Sequence, residues 1–324
     1  MNILVFGKDG QLGKAFKALF DSQTIPKKVV IQYVGRADCD LSDSNALSNL
    51  LLKTSPDLII NASAYTAVDK AENDVEMAFA INARAPELMA KYAAEHGATF
   101  LHYSTDYVFD GRKNGWYVES DERNPLGVYG KSKAAGEIAV EEAFANSASG
   151  QFAIFRTSWV YGAGGNFIRT MLRLAKERDE LKVVHDQHGV PTSADWLANV
   201  SLALVLDSQF QIKPFTSGIY HAIPAGETTW HGLACVAVQA ALDAGIVLKA
   251  KPGSIKPILA AEYPLPAPRP ANSRMANRKL QLALSGGLSD TSNSYNQAQN
   301  MSNFPAWDGM VQQYVSQLAK EGLI

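Results

Sequence analysis

Tyr129 and Lys133 stand four residues apart in a segment with helical periodicity that follows Pro125. This spacing places the two side chains on one face of a helix, one turn apart, whereas Lys131 points elsewhere. A free phenol titrates near ~10, and a neighbouring ammonium favours the phenolate and lowers the pKa of the phenol. The pair therefore suits proton transfer to a carbonyl group near neutral pH.

Hydroxyl groups stand at the end of a predicted strand, in the sequence Tyr-Ser-Thr-Asp-Tyr at 103–107. Neighbouring residues of a strand face opposite sides, so only one of Ser104 and Thr105 can direct its hydroxyl to a substrate. The residues alone do not decide between them. In the alternative interpretation both hydroxyls bond only to the backbone, as strand-end hydroxyls often do.

Three glycines, Gly7, Gly10 and Gly13, follow the first predicted strand and lead into a helix. In that place glycines permit a tight turn, a close approach of backbone to a pyrophosphate and close packing of helix on strand. The helix N-terminus adds unpaired N–H groups and the positive end of its dipole. The pattern predicts a dinucleotide-binding loop, and the three donors of Lys133 then also suit the nicotinamide ribose.

The second predicted strand ends at Val34-Gly35-Arg36, where an NAD site would carry an acidic residue. A guanidinium there can pair with a 2′-phosphate, so NADPH is predicted as the cofactor, with NADH left open. The alternative is a solvated surface arginine. Asp38 and Asp40 follow closely enough for one of them to bind a ribose or the adenine.

The elements that must position these residues alternate along the first half of the chain. Apolar segments predict strands at 3–6, 29–34, 58–61, 99–104 and 152–156. Segments with helical spacing predict helices at 15–20, 46–52, 75–96 and 131–145. Uniformly apolar strands that alternate with helices are typical of a doubly wound parallel sheet, in which ligands bind at the carboxyl ends of the strands.

The second half of the chain is less regular and predicts a smaller appended domain. Its predicted elements are a helix at 166–176, a strand near 182–185, a helix at 193–206 and a final helix at about 307–321. Four prolines make 263–270 extended, either as a linker or as a rigid substrate loop. The polar segment 285–303 predicts a solvated loop.

Composition excludes several classes of function. The 324 residues carry 30 Lys+Arg against 32 Asp+Glu, a net charge of −2, which gives no basic field for nucleic acid or an anionic membrane. Cys39 and Cys235 lie far apart without a CxxC spacing, so we expect free thiols in a reducing compartment. No apolar run approaches the ~18 residues of a membrane span, and a cytoplasmic protein is predicted.

Six segments together resemble the extended short-chain dehydrogenases/reductases and, within them, the dTDP-4-dehydrorhamnose reductase family. The Tyr129/Lys133 pair is common to the whole superfamily, whereas Ser-Thr-Asp-Tyr-Val-Phe at 104–109 and Arg-Thr-Ser-Trp-Val-Tyr at 156–161 are specific to this branch. The six segments run nearly end to end: 7–13 with its Gln11-Leu12, 61–69, 104–109, 129–133, 156–161 and 269–273.

The resemblance implies a Rossmann-type doubly wound parallel sheet with a smaller C-terminal α/β substrate domain. Residues 1–160 would form the NADP(H)-binding domain, with part of 180–220 returning to it, and 161–324 mainly the interleaved substrate domain. The reaction would reduce dTDP-4-dehydro-6-deoxy-L-mannose to dTDP-L-rhamnose with NADPH. Tyr129 would protonate the new alkoxide, Lys133 would hold the ribose and tune Tyr129, and Thr105 would orient the carbonyl group.

The resemblance also assigns binding residues, although Trp159 can be read as core and Arg269 as a solvated charge. The residues expected at the dTDP-sugar are Val68, Asp69, Asp106, Tyr107, Trp159, Arg269, Asn272 and Ser273. The residues expected at the cofactor are Gly7, Asp9, Gly10, Gln11, Leu12, Gly13, Arg36, Asp40, Leu41, Ala62, Ser63, Ala64, Tyr129 and Lys133.

The chain departs from the family at a magnesium site that some members build at their dimer interface with acidic residues. Asp195 and Asp308 match two of its positions, but the third is Ala15. A hard cation needs several oxygen ligands, so we predict no metal here and no homodimer of the magnesium-bridged kind. His185 and His188 flank Asp186 without a third ligand at suitable spacing, so these residues are not expected to bind zinc.

Two other functions remain open at this point. One is a reductase or epimerase that acts on another nucleotide-activated 4-keto sugar, because the motifs define chemistry better than substrate. The other is a non-catalytic NADP-binding regulatory subunit, similar to the β subunit of methionine adenosyltransferase. The complete 269–273 segment together with Trp159 favours the sugar-nucleotide enzyme.

Overall fold

Strands and helices alternate through the first half of the chain, as predicted. The computed structural model describes residues 1–147, 149–285 and 304–324, so most of the polar segment predicted at 285–303 lies outside the described residues. The strands are β1 (Asn2–Phe6), β2 (Val30–Val34), β3 (Leu58–Asn61), β4 (Thr99–Thr105), β5 (Gln151–Thr157), β6 (Val160–Tyr161), β7 (Leu181–Val184), β8 (His188–Gly189), β9 (Thr192–Ser193), β10 (Gly218–His221), β11 (Thr228–Thr229) and β12 (Ile255–Ile258).

The helices connect these strands and cover the sheet. They are α1 (Gln11–Asp21), α2 (Ser44–Thr54), α3 (Val68–Ala71), α4 (Val75–Phe79), α5 (Ala85–His96), α6 (Val128–Phe144), α7 (Phe167–Glu177), α8 (Ala194–Val205), α9 (Trp230–Asp243), α10 (Arg278–Leu284) and α11 (Trp307–Lys320). In the part of the chain that the structure describes, no helix is both long and apolar enough to span a bilayer.

The central sheet has six parallel strands in the order β10-β5-β4-β3-β1-β2. Alternate residues of β1 enter two different cores, Val5 on the face covered by α1 and α8 and Leu4 on the face covered by α2 and α5. Strands β3 and β4 are buried along their whole length. A sheet covered on both faces explains the uniformly apolar strand sequences.

The segment predicted as one helix at 75–96 is divided by a π-helical turn at Ala80–Arg84. The turn directs the buried side chain of Asn82 to the loop after β3, where it exchanges hydrogen bonds with the Tyr65 backbone (2.8 and 3.1 Å). The Asn82 amide also donates to Ser132 Oγ of α6 (3.0 Å). Such turns are often found at functional sites, and apolar periodicity does not reveal them.

The second half of the chain supplies a third core and two additions to the first half. Helices α7, α9 and α11 pack together with β7. Strand β10 pairs in parallel with β5 at the edge of the central sheet, and α8 packs on α1. The helix of α9 was not predicted because its alanines give little contrast between faces. The domain boundary near residue 160 stays a prediction.

Candidate active site

The loop after β1 is held in a tight turn that only glycine tolerates at two positions. Gly7 has a φ of +85°, and a Cβ there would lie 2.7 Å from the carbonyl oxygen of Ala62. A Cβ on Gly13 would lie 2.0 Å from the carbonyl oxygen of Gly7, because the first turn of α1 packs directly on the strand end. The Gly7 N–H donates to the carbonyl oxygen of Val34 at 2.8 Å, which ties the loop to β2.

The N-terminus of α1 is open toward the carboxyl ends of the strands. Its cap residue is Gly10, which has no side chain to bond to the first N–H groups of the helix. The first turn of the helix carries no acidic residue. A Cβ on Gly10 would meet only the Gly7 carbonyl oxygen, at 3.4 Å, so the glycine leaves space rather than filling it. Free N–H groups and a positive helix end fit the pyrophosphate of a dinucleotide.

Two of the loops predicted at the cofactor flank this helix end. The backbone of Ala62 and Ser63 passes within 2.7–2.8 Å of the position that a Cβ of Gly7 would occupy. On the other side Asp38 accepts from Lys8 Nζ (2.5 Å) and from the Gly35 backbone (2.8 Å). The Lys8 ammonium holds the pKa of the Asp38 carboxyl below its usual range. Asp38 is therefore engaged with the glycine loop.

Arg36 stands at the carboxyl end of β2 with 77% of its side chain exposed. Its Nε lies 3.3 Å from Oδ2 of Asp40, and the Ser42 backbone N–H donates to the other oxygen, Oδ1, of the same carboxylate. Hydrogen bonds from Ser42 lower the pKa of Asp40. Leu41 next to it packs against the core beneath β2. Arg36 can thus turn toward an anionic group at this edge while Asp40 stays ionised.

Tyr129 and Lys133 lie on consecutive turns of α6, as their spacing predicts. The start of this helix is fixed from outside, because Glu72, just after α3, accepts from the Val128 N–H at 2.8 Å. A Cβ on Gly130 would lie 2.2 Å from the carbonyl oxygen of Tyr107, so the helix approaches the end of β4 very closely. The approach brings the phenol of Tyr129 next to the hydroxyl and carboxyl groups at that strand end.

The pKa of Tyr129 is raised to about 12, chiefly by burial and also by the Asp106 carboxylate, whereas the neighbouring Thr105 hydroxyl lowers it. This direction is opposite to the one expected from the sequence, which assumed that the Lys133 ammonium acts on the phenol. The Lys133 ammonium instead donates a hydrogen bond to the backbone of β4, at the Tyr103 carbonyl oxygen. Tyr129 is therefore protonated at neutral pH and suited to donate a proton.

The Lys133 ammonium is buried and hydrogen-bonded to the backbone of β4. It donates to the carbonyl oxygen of Tyr103 at 2.5 Å and lies 3.3 Å from Nε2 of His102. Burial lowers the pKa of Lys133 to about 8, against the opposing effect of the Glu137 charge one turn further along α6. Lys133 is thus able to lose its proton close to physiological pH.

The two hydroxyls at the end of β4 have different surroundings. Thr105 Oγ1 donates to the Asp106 carboxylate at 2.9 Å and accepts from the Tyr107 N–H at 3.2 Å. Ser104 Oγ is buried on the other side of the strand, toward Glu137, whose pKa it lowers. Because Thr105 also acts on the pKa of Tyr129, it is Thr105 that shares the site with the phenol.

Asp106 joins the strand end to the C-terminal part of the chain. One of its oxygens accepts from Thr105, and the other accepts from the hydroxyl of Ser273. The side chain is buried, and desolvation raises the pKa of Asp106 to about 6, although both hydroxyls act in the opposite direction. A carboxyl group with this pKa changes its charge just below neutral pH.

Asp69 of α3 and Arg269 of the proline-rich loop form a two-pronged ion pair, with oxygen-to-nitrogen distances of 3.0 and 2.9 Å. The backbone N–H of Ala267 adds a third hydrogen bond to Asp69 at 3.1 Å. The Arg269 guanidinium lowers the pKa of Asp69. Val68, the residue before Asp69, begins α3 and is partly exposed. The proline-rich loop is thereby attached to α3.

Aromatic rings form the remaining walls. Tyr107 meets Tyr129 edge to face, with 5.4 Å between ring centroids. Trp159 stacks on Trp230 at 3.8 Å and has a φ of +48°, a strained conformation for a bulky residue. These two tryptophans and Gln11, the first residue of α1, are among the residues that line a cavity of about 160 Å³. Trp159 is thus at a cavity rather than wholly within the core.

Asn272 is placed differently from the other residues expected at the substrate. It is 5% exposed, and its amide donates to the carbonyl oxygens of Lys113 (2.8 Å) and Gly115 (2.7 Å). Its oxygen accepts from the Arg274 side chain at 2.8 Å. In this structure Asn272 holds two loops together. Within the described part of the chain, its amide group already donates to two carbonyl oxygens rather than facing a ligand.

The residues considered for metals do not converge. Ala15 is buried in the core, whereas Asp195 and Asp308 are exposed. Asp186 accepts from the Ala260 N–H at 2.8 Å and so positions the chain before the proline-rich loop. Over residues 1–147, 149–285 and 304–324, no group of three His, Cys, Asp or Glu side chains is close enough to hold a metal ion.

Several residues that shape the site were given no role from the sequence. His102 and Asn61 lie on adjacent strands beneath Lys133, and Glu137 is buried in an ion pair with Arg156 (2.7 Å). A polar residue inside an otherwise apolar strand, such as His102 or Arg156, was the available signal, since buried polar groups need partners.

The RmlD substrate binding domain family matches residues 1–300. The dTDP-4-dehydrorhamnose reductase of Salmonella typhimurium is 42% identical over 87% of this chain and 91% of its own, and that of Escherichia coli K12 is 43% identical with the same coverage.

Solved structures agree with this. A dTDP-4-dehydrorhamnose reductase from Clostridium acetobutylicum is 32% identical, with a TM-score of 0.81 over 98% of this chain and 99% of that one. The Bacillus anthracis dTDP-4-dehydrorhamnose reductase in complex with NADP is 28% identical, with a TM-score of 0.79 over the same shares. From its site geometry, its parallel sheet and these similarities, the chain belongs to the dTDP-4-dehydrorhamnose reductase family.

Proposed function

We propose that this chain reduces dTDP-4-dehydro-6-deoxy-L-mannose, also called dTDP-4-dehydro-L-rhamnose, to dTDP-L-rhamnose with NADPH. The observation that carries the proposal is the grouping of a protonated Tyr129 with Thr105 and Asp106 at the end of β4. The open N-terminus of α1 lies at the same edge of the sheet. This is the arrangement that a carbonyl reductase with a dinucleotide cofactor requires.

The residues present fit NADPH. Gly7, Gly10 and Gly13 leave the backbone and helix end free for the pyrophosphate, and Arg36 is exposed where a 2′-phosphate would lie. Asp9, Gln11 and Leu12 complete the loop, with Asp40, Leu41 and the 62–64 backbone on either side. When bound, NADPH supplies the hydride for the carbonyl carbon.

The protein supplies the proton. The phenol of Tyr129 keeps its proton at neutral pH because burial raises its pKa to about 12. As the carbonyl oxygen becomes an alkoxide, it is the stronger base, and it takes the proton from Tyr129. Thr105 orients that oxygen through its hydroxyl, and Lys133 is assigned to the nicotinamide ribose and to the return of a proton to Tyr129.

The sugar nucleotide is proposed to bind between α3, the end of β4 and the proline-rich loop. Val68, Asp69, Tyr107, Trp159 and Arg269 line this space in the proposal, and Asp106 and Ser273 close its base. Support for it comes from the Asp69–Arg269 ion pair and from the Asp106–Ser273 hydrogen bond, which link the two sides of the cleft. Asn272 is proposed to act through the loops that it holds.

The assay that tests the proposal mixes the purified protein with the keto sugar, generated in place by the upstream dehydratase and epimerase. Loss of reduced-cofactor absorbance is followed with NADPH and NADH separately, and the product is identified. Oxidation of NADPH with formation of dTDP-L-rhamnose is expected. NADPH binding without oxidation would contradict the proposal and would point to another 4-keto sugar or to a regulatory role.

Tyr129→Phe is the matched variant for this assay. It removes the phenolic hydroxyl and little else, so NADPH binding should stay while turnover falls by about 10²–10⁴-fold. Unchanged turnover would remove Tyr129 from the mechanism.

We also infer a cytoplasmic location, in keeping with two free thiols, Cys39 and Cys235. The absence of a magnesium-bridged homodimer remains a prediction that requires a measurement of oligomeric state.

A further inference from the structure

His102 is a buried histidine that lies between two polar side chains beneath the active site. It is 0% exposed on β4. Its Nδ1 lies 3.2 Å from Nδ2 of Asn61 on β3, and its Nε2 lies 3.3 Å from Nζ of Lys133 on α6. The imidazole therefore connects a fixed amide to the lysine that the proposed function places at the cofactor.

The orientation of the Asn61 amide follows from its other hydrogen bond. The backbone N–H of Ser63, which can only donate, lies 3.2 Å from Oδ1 of Asn61. The Nδ2 of Asn61 therefore faces His102, and an amide nitrogen can only donate. Nδ1 of His102 must accept this bond, so a neutral His102 carries its proton on Nε2. Desolvation lowers the pKa of His102, which keeps the ring neutral.

This tautomer directs an N–H at Lys133. An ammonium group has only donors and cannot accept a hydrogen bond from Nε2–H, whereas a neutral amine has a lone pair that can. The carbonyl oxygen of Tyr103, at 2.5 Å, accepts from either form of Lys133. The contact at 3.3 Å is thus a repulsion between two donors for charged Lys133 and a hydrogen bond for neutral Lys133.

The other groups around the pair act in known directions. Glu137 on α6 raises the pKa of Lys133, but the Glu137 carboxylate is shared with Arg156 and Arg123. On the sheet His102 lies beside Asn61 and the apolar Ile154. Helix α5 presents apolar residues such as Met89 to this face of the sheet. Among the described residues outside α6, His102 is thus the one whose side chain lies within hydrogen-bond distance of the Lys133 nitrogen, next to the Tyr103 backbone carbonyl.

We propose that His102, held in one tautomer by Asn61, is a positioning residue that favours the neutral form of Lys133. This inference rests on the proposed function for its importance in turnover. After Tyr129 has given its proton to the substrate oxygen, the charged Lys133 transfers a proton to the resulting phenolate, which restores the phenol, and the neutral lysine then takes up a proton from solvent. A lysine that releases its proton readily makes the pair efficient at neutral pH.

The first test reads the tautomer directly and needs no enzymatic activity. The full chain is labelled with ¹⁵N-histidine, and the resonances of its six histidines are assigned with the aid of a His102→Phe variant. We expect a protonated Nε2 and an unprotonated Nδ1 for His102 in the unsubstituted protein. A proton on Nδ1, or a doubly protonated ring, would overturn the proposal whatever reaction the protein performs.

The second test changes the tautomer. In Asn61→Asp a carboxylate accepts from Nδ1–H, so Nε2 becomes an acceptor for the Lys133 ammonium. The titration of Lys133, followed by NMR of ¹³Cε-labelled lysine, should then move to higher pH by about one unit. The basic limb of the pH profile of kcat/KM should move in the same direction. An unchanged Lys133 titration would overturn the proposal.

A double variant separates the tautomer from the charge of the new carboxylate. In a His102→Phe background, Asn61→Asp can act on Lys133 only through space. If the histidine transmits the effect, the shift of the Lys133 titration caused by Asn61→Asp should fall to less than half of its value. A shift of equal size in both backgrounds would assign the effect to charge alone and would contradict the proposal.

Discussion

Arg269 donates two parallel hydrogen bonds of 3.0 and 2.9 Å to the carboxylate of Asp69, although 200 residues separate the two in the sequence. Asp69 belongs to α3, beside the dinucleotide-binding sheet, and Arg269 belongs to the proline-rich loop. The Arg269 side chain is 19% exposed and that of Asp69 is 39% exposed, so the pair is only partly screened by solvent. It attaches the loop across the proposed sugar-nucleotide cleft.

Replacement of Arg269 tests this attachment. Lysine keeps the charge but lacks the planar fork, so Arg269→Lys should leave the loop poorly held. We expect KM for the keto sugar to rise by about tenfold, with a smaller change in kcat and unchanged KM for NADPH. Arg173→Lys, at an exposed arginine of α7 that pairs with Glu177 instead, is the control. Equal effects of the two substitutions would refute the role of the ion pair.

The two hydroxyls at the end of β4 give a matched pair of variants. Thr105→Val removes a hydroxyl that contacts Asp106 and acts on Tyr129, so kcat should fall by about 10²-fold or more. Ser104→Ala removes a hydroxyl that acts on Glu137 and not on Tyr129, and activity should change by less than about twofold. Steady-state kinetics of both variants measure these effects. A larger loss of kcat in Ser104→Ala than in Thr105→Val would assign the role at the substrate to Ser104 instead of Thr105.

The raised pKa of Asp106 implies that its charged form lowers the stability of the folded protein at high pH. Burial raises its pKa in the folded protein to about 6, above its ordinary value of 3.8. The folded state therefore binds this proton more tightly, and the stability that the proton contributes is lost as the pH rises through about 6. At pH 8 the buried carboxylate costs about 2–3 kcal/mol, since one pKa unit is about 1.4 kcal/mol.

Asp106→Asn should therefore raise the Tm by a few degrees at pH 8, while the difference shrinks below about pH 4, where the acid is protonated in both states. Calorimetric scans at the two pH values test this. The same substitution should lower kcat, because the amide that replaces the carboxylate has only one oxygen and cannot accept from both Thr105 and Ser273 in the same way. A lower Tm of the variant at pH 8 would contradict the assignment.

The position of Arg36 leads us to expect a preference for NADPH over NADH. Arg36→Ala removes the exposed guanidinium at the end of β2, so the Kd for NADPH should rise by about tenfold or more and that for NADH by less than about threefold. Lys17→Ala, at an exposed lysine of α1 that pairs with Asp21, is the control. Titration by cofactor fluorescence measures both constants. Equal weakening of NADPH and NADH would remove the case for a 2′-phosphate contact.

The sequence allowed the parallel sheet and the glycine loop to be predicted, because both follow from local rules. Uniformly apolar strands need two covered faces, and Gly7 and Gly13 stand where any Cβ would collide with backbone. Strand β10 could not be predicted, because a short strand at the sheet edge is defined by its pairing with β5, which the chain reaches only after two helices.

The site was predicted in its members but not in its electrostatics. Spacing placed Tyr129 and Lys133 on one face, yet it could not show that Lys133 turns to the Tyr103 carbonyl, which leaves burial to raise the pKa of Tyr129. Nor could it show that the Asn272 amide is used by Lys113 and Gly115. Such contacts join elements that are distant in sequence, and no local pattern encodes them.

The most direct test of the account is isotope transfer from the cofactor to the sugar. NADPH deuterated at both C4 positions of its reduced ring is supplied with the keto sugar, and the product is analysed by NMR and mass spectrometry. We expect dTDP-L-rhamnose with one deuterium at C4 of the sugar, and almost no such product from Tyr129→Phe. Recovery of unreduced keto sugar, or a reduced product without deuterium at C4, would contradict it.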